Sequence, residues 1–135
     1  MHFTELQIYD NTGTNIAPTG KATQISTYLN HPDLGADALI RGDLDGSDGY
    51  QGNHTNRHAE PWWELELTSD VDIFEARLYI TYSLPQERVN NTKVQFMNSD
   101  KDIIYEFDIG VWGTDSYNKH LHTIGNSKYL LIPIP

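Results

Sequence analysis

From Trp62 to Leu67 the chain reads WWELEL, and this segment limits the possible folds more than any other. Trp63, Leu65 and Leu67 point one way, Glu64 and Glu66 the other. A period of two is what a strand with one buried face requires, and a helix cannot use it. Just upstream, His54, Arg57 and His58 sit among turn-forming residues. Hydrogen-bonding side chains on a loop that runs into a rigid strand are a common plan for a binding site. These three residues are candidate ligand contacts.

The same reading extends along the chain. Phe3, Leu6 and Ile8 mark an opening strand. Lys21 to Tyr28 is short and mixed, and Val71 to Tyr82 alternates again. In that last segment Phe74, Ala76, Leu78, Ile80 and Tyr82 share one face, and Ile73, Glu75, Arg77, Tyr79 and Thr81 share the other. Lys93 to Met97, Ile103 to Ile109 and Tyr129 to Ile134 complete the set. No segment has a convincing helical period, apart from a brief turn near Gly35 to Leu39. Short strands divided by Gly, Asn, Asp and Pro indicate an all-β sandwich. The core is expected to hold Trp63, Leu65, Phe74, Leu78, Ile80, Val94, Phe96 and Leu130. The span from Asn30 to Glu60 is too long for an ordinary connection and reads as organised functional loops.

Composition bounds the partners. The chain has 135 residues, which suits one domain over 1–135. Its net charge is -10, from nine Lys and Arg against nineteen Asp and Glu. Nucleic acid and anionic membrane surfaces both need a basic face, so neither is an expected partner. Without cysteine there is no disulfide and no thiolate metal site. No apolar run is long enough to span a membrane as a helix. The opening MHFTELQIYD reads as a strand rather than a signal peptide.

The chain also resembles a known family along nearly its whole length. ELQIYDNTGTNIAPTGKATQISTY is similar to the start of the discoidin, or coagulation-factor C-type, domains and of the related F-type (fucose-binding) lectins. The shared phrase, G-x-N-[IV]-A, falls at Gly13 to Ala17. HTNRHAEPWWELEL is similar to the family's polar loop and P-W-W-x-[VI]-D-L strand, and SKYLLIPIP to its closing strand. The resemblance implies a galactose-binding-domain-like jelly-roll β-sandwich of about eight main antiparallel strands. It also implies a non-catalytic, lectin-like domain that binds glycans or surface ligands with loops at one end.

The family site uses a histidine and two arginines, which offer directed donors to sugar oxygens. Arg88, in QERVNN, matches the second arginine. The loop that carries the first is shortened here to Tyr82 to Gln86, with no arginine. The family histidine falls within His54 to His58. Tyr82, and Trp112 between Gly110 and Gly113, are further candidate ligand contacts. Trp62 and Trp63 are weighed as sugar platforms, against the usual burial of such a strand indole in the core.

The lectin relatives also hold calcium, with the aspartate of an A-I-D-G-N turn and a late glutamate. Here Arg41 stands at that aspartate. Asp43, Asp45 and Asp48 follow in a Gly-rich run, and carboxylates so spaced can hold calcium. The alternative is a solvated acidic turn. His120 and His122 share a strand face but lack an evident third metal ligand. Asn53-His54-Thr55 and Asn90-Asn91-Thr92 are glycosylation sequons, meaningful in a secretory pathway. Arg41-Gly42-Asp43 is a tripeptide common by chance.

No nucleophile with a base, metalloprotease motif or phosphate loop occurs, so no enzyme is expected. Two functions follow. One is carbohydrate recognition by an extracellular or surface-exposed module. The other is a structural or adhesion role in an assembly such as a virion or fibre, as an oligomer or with protein neighbours.

Overall fold

The computed structural model describes residues 1–42, 52–80, 89–110 and 118–133, with side chains of the last segment from 121 onward. Within these residues six strands form one antiparallel sheet. They are β1 (Glu5–Asp10), β2 (Lys21–Gln24), β3 (Trp62–Tyr79), β4 (Lys93–Met97), β5 (Ile103–Asp108) and β6 (Asn118–Pro133). The order is β1-β3-β6-β4-β5, with β2 also on β3. Four short 3₁₀ turns, η1 (Ala17–Thr19), η2 (Tyr28–Asn30), η3 (Pro32–Leu34) and η4 (Ala36–Ile40), occupy the connections. The expected turn near Gly35 to Leu39 is η4, and most of the expected strands are present. The segments on either side of Thr68 to Asp70 are one continuous strand, however, and β6 begins eleven residues before Tyr129.

Two long strands organise the rest. The first half of β3 pairs with β2 and the second half with β1, and the register on β6 breaks between Glu66 and Val71. One apolar cluster draws on β1, β3, β4, β6 and η4, so the sheet closes around its own core as a jelly-roll-like sandwich. Trp63, Leu65, Phe96 and Leu130 are fully buried, and Leu78, Ile80 and Val94 nearly so.

Phe74 is a correction: it is 54% exposed. Trp63, Leu65, Leu67 and Ile73 turn odd-numbered positions inward, whereas Ala76, Leu78 and Ile80 turn even-numbered ones inward. Strict alternation cannot do both, so the strand needs one extra residue. That residue is Phe74. On β1, Tyr9 and Asp10 are neighbours, yet they face Glu75 and Ile73. Such a bulge leaves its extra residue unpaired and re-aims the side chains beyond it. Glu75 consequently shares the outer face with Arg77, which covers it and holds its carboxylate with Nε to Oε1 at 2.7 Å.

The G-x-N-I-A phrase has a local cause. Gly13 takes φ +79° in the turn after β1. Asn15 Oδ1 then accepts from Ile8 N at 3.0 Å and Ala17 N at 3.2 Å, standing in for a missing strand partner.

Candidate functional site

The loop from Gly52 to His58 is fastened to the N-terminal strand. Phe3 N donates to Asn53 Oδ1 at 3.0 Å, Thr55 N to Met1 O at 3.1 Å, and the Met1 amino group to Thr55 Oγ1 at 3.0 Å. Gly52 makes this approach possible. At φ +67° it favours glycine, and a Cβ there would lie 1.7 Å from Phe3 O. Asn53 is fully buried, and its Nδ2 donates to Gln24 Oε1 at 3.1 Å. Gln24 Nε2 in turn reaches Thr27 Oγ1 and Leu34 O. The first sequon's amide is thus committed to the core of the loop, and the folded chain does not offer it to a glycosyl carrier.

This network sets the backbone on which His54 stands. His54 N donates to Leu34 O at 3.0 Å, and Tyr28 N donates to His54 O at 2.8 Å. The imidazole lies between two rings. His2 stacks on one side with centroids 4.3 Å apart and planes 11° apart, and Tyr28 on the other at 4.3 Å and 15°. His2 is buried and Tyr28 exposed. A ring covered on both faces has only its edge left for polar contacts. Beside it opens a cleft of about 370 Å³ lined by Met1, Tyr28, His54, Thr55, Asn56 and Arg57.

Of the expected contacts, His54 and Arg57 therefore share one cleft. His58 is directed elsewhere: one ring nitrogen pairs with Ser26 Oγ at 2.8 Å, and the same oxygen accepts from Asn56 N at 2.9 Å. It braces the loop instead of lining the cleft. Arg88, Tyr82 and Trp112 lie outside the described residues, as do Asp43, Asp45 and Asp48, the expected calcium ligands. Among the described residues no group of three or more metal-ligating side chains occurs. Trp63 is no sugar platform. It is fully buried, and its Nε1 donates to Ala36 O at 2.8 Å, the burial foreseen for one indole of the pair. His122 meets Phe74 edge-on, with centroids 6.5 Å apart.

Sequence reasoning missed His2, Tyr28 and Leu29. Leu29 (φ 53°, ψ 22°) and Asn30 (φ 52°) are consecutive non-glycine residues in the left-handed region. That conformation costs an L-residue roughly 1–2 kcal/mol. No local sequence pattern marks it; bonds within the turn hold it, together with one from the His54 loop. Asn30 N donates to Thr27 O and His31 N to Tyr28 O, each at 3.0 Å, and Leu29 N reaches Asn56 Oδ1 at 3.4 Å.

A sandwich with a polar cleft at its loop end, built on a strand-flanked P-W-W motif, is the fold of the F-type, fucose-binding lectins within the discoidin-like group. A Streptococcus pneumoniae fucose binding module matches with a TM-score of 0.76 at 18% identity, over 92% of this chain and 86% of that one. The lectin domain of lectinolysin complexed with Lewis B antigen matches at 0.75 and 21%, over 90% and 85%. An F-lectin (fucolectin) from striped bass (Morone saxatilis) serum matches at 0.72 and 22%, over 92% and 43%. At these identities the likeness is one of fold. In sequence, the chain is 28% identical over 100 residues to the pentraxin fusion protein of Xenopus laevis, covering 73% of this chain and 23% of that protein. It thus spans about a quarter of the length of that curated relative. No family model matches the chain.

Proposed function

We propose that this chain is a non-catalytic carbohydrate-binding module that takes a sugar residue of an extracellular or surface glycan at its loop end. The ring stack carries the reading. An imidazole gripped on both faces by His2 and Tyr28 can present only its edge, beside the exposed Arg57, at the wall of a cleft sized for a small ligand. Sugar hydroxyls both donate and accept, and such fixed polar edges suit them. The net charge of -10 disfavours phosphate ligands and leaves neutral glycans well placed. Solved proteins of this fold include a fucose binding module and a lectin domain in complex with Lewis B, so fucosylated glycans are the first probes. Arg88 joins the site on the strength of the motif resemblance. Calcium at Asp43, Asp45 and Asp48 belongs to the same reading, supported by carboxylate spacing alone.

A glycan array followed by calorimetry tests this, with Arg88→Ala as the control. Each charge-assisted hydrogen bond contributes roughly 1.5–3 kcal/mol, so the variant should bind below detection while keeping its melting temperature. Wild-type binding to no glycan ends the reading of the molecule. Binding that survives Arg88→Ala ends the assignment of that residue.

One observation favours the alternative role in an assembly, such as a virion or fibre appendage. Ile103 and Ile104, adjacent on β5, are 52% and 40% exposed. Apolar residues on such a strand suit a protein neighbour. A mass measurement showing a stable oligomer that Ile103→Lys dissociates would support it, and a monomer at high concentration would oppose a self-assembling form.

A further inference from the structure

We propose a second saccharide site, on the outer face of β1 and β3 around Phe74, that takes a neutral pyranose residue. It stands apart from the His54 cleft. Met1, just before β1, lines that cleft, whereas Tyr9 to Gly13, at the far end of β1, line this one. Between them run the six residues of β1, at roughly 3.3 Å each. Here a cleft of about 430 Å³, a size that suits a small ligand, opens between the turn after β1 and the side chains of Phe74, Glu75 and Arg77. Three observations carry the proposal. First, a regular strand would face Phe74 and Glu75 to opposite sides, but the bulge sets both on the wall of one cleft. Bulges collect beside functional sites, where they re-aim a side chain. Second, the Phe74 ring is 54% exposed, although His122 meets it edge-on. Third, Arg77 is held in place before any ligand arrives. Its guanidinium carbon lies 4.5 Å from the centroid of the Tyr9 ring, and Glu75 takes two of its five N–H groups, at 2.7 Å and 3.3 Å. The side chain is still 35% exposed, so donors remain for a ligand.

An exposed phenyl ring in the extra slot of a bulge adds little to the core. What it supplies is a flat apolar surface beside fixed polar groups. A pyranose matches both, with its C–H side on the ring and its hydroxyls on Arg77 and the Asn11 and Asp10 turn. Charge selects within that class. Asp10 and Glu75 line the cleft with the single cation Arg77, and Asp72 is bonded to Asn11 at its rim. A carboxylate or sulfate would meet net repulsion there, and a neutral sugar does not. A protein neighbour fits less well, because a stable interface takes about 800 Å² from each partner and the exposed apolar surface in this cleft is one ring. The proposal stands whether or not the His54 cleft binds sugar.

NMR titration of the full chain tests this with three neutral probes, lactose, cellobiose and mannobiose, on wild type, Phe74→Ala and His54→Phe. At least one probe should give saturable shifts at the Phe74 ring and the Arg77 Nε–H of wild type. The same shifts, with the same affinity, should persist in His54→Phe. In Phe74→Ala the response of Glu75 and Arg77 should weaken about tenfold, the loss expected from part of one ring's apolar burial, while the melting temperature holds. No shift at these residues with any probe overturns the site. Affinity undiminished in Phe74→Ala overturns it too, and so does a response that disappears in His54→Phe. Shifts at Phe74 that follow protein concentration instead of sugar, and a dimer that Phe74→Ala dissociates, would seat a second copy on the ring and overturn the proposal in favour of that neighbour.

Discussion

Tyr28 and His54 are joined twice: their rings stack with centroids 4.3 Å apart, and Tyr28 N donates to His54 O at 2.8 Å. The backbone bond fixes where the two loops meet. The stack then fixes the plane of the imidazole, with His2 closing its other face.

These two roles of His54 can be separated. His54→Phe keeps a ring in the stack and removes the polar edge. It should retain a near-native melting temperature and lose glycan binding. Tyr28→Ala removes one stacking partner and should cost about 1 kcal/mol in urea unfolding. Its binding should weaken rather than vanish, because the imidazole keeps its nitrogens but loses a restraint. Full binding by His54→Phe would show that the edge is not the contact.

The bulge makes a contrast within one strand. Phe74→Ser should change unfolding free energy by less than about 0.5 kcal/mol, as expected of an exposed side chain. Leu78→Ala, four residues on and 1% exposed, should cost roughly 2–5 kcal/mol. Equal losses in urea titrations would place Phe74 in the core and remove the bulge.

Acid should loosen the turn after β1. Asp10 Oδ1 accepts from Thr12 Oγ1 at 2.6 Å and also from Thr12 N and Thr14 N. The Thr12 hydroxyl is the main cause that holds this carboxyl below its usual 3.8, helped by the backbone donors. A group with a lowered folded value adds stability above its unfolded value, and that stability fades as pH falls through the folded one. Asp10→Asn should therefore melt lower than wild type at neutral pH. The gap should narrow below pH 3.8, read from melting curves across an acid series. A constant gap would mean that charge at Asp10 does not matter.

Calcium gives a further test. If Asp43, Asp45 and Asp48 hold the ion, millimolar calcium should raise the melting temperature of wild type, since a cation that binds only the native state stabilises by mass action. Asp45→Ala should abolish that rise. No shift in wild type would leave a solvated acidic turn, in which removing one charge from a chain of net -10 is neutral or mildly stabilising.

Much was decided by sequence alone, where a property is local and periodic. Trp63, Leu65 and Leu67 are buried because alternation in WWELEL admits one inward face. The all-β class and the strand Lys93–Met97 followed from the same rule. His54 and Arg57, candidate contacts because polar residues cluster where a loop enters a strand, line one cleft. Tertiary structure decided what depends on a distant partner. Phe74 faces outward only because β1 and the core require opposite parities in the two halves of β3. His58 leaves the cleft because Ser26, far away in sequence, takes its ring nitrogen. Tyr28 lines it, and His2 stacks on His54, because strand closure brings the N-terminus and the second loop against His54. Neither a ring stack across fifty-two residues of chain nor a left-handed leucine held by Asn56 has a signature in local composition, since each arises from packing between segments.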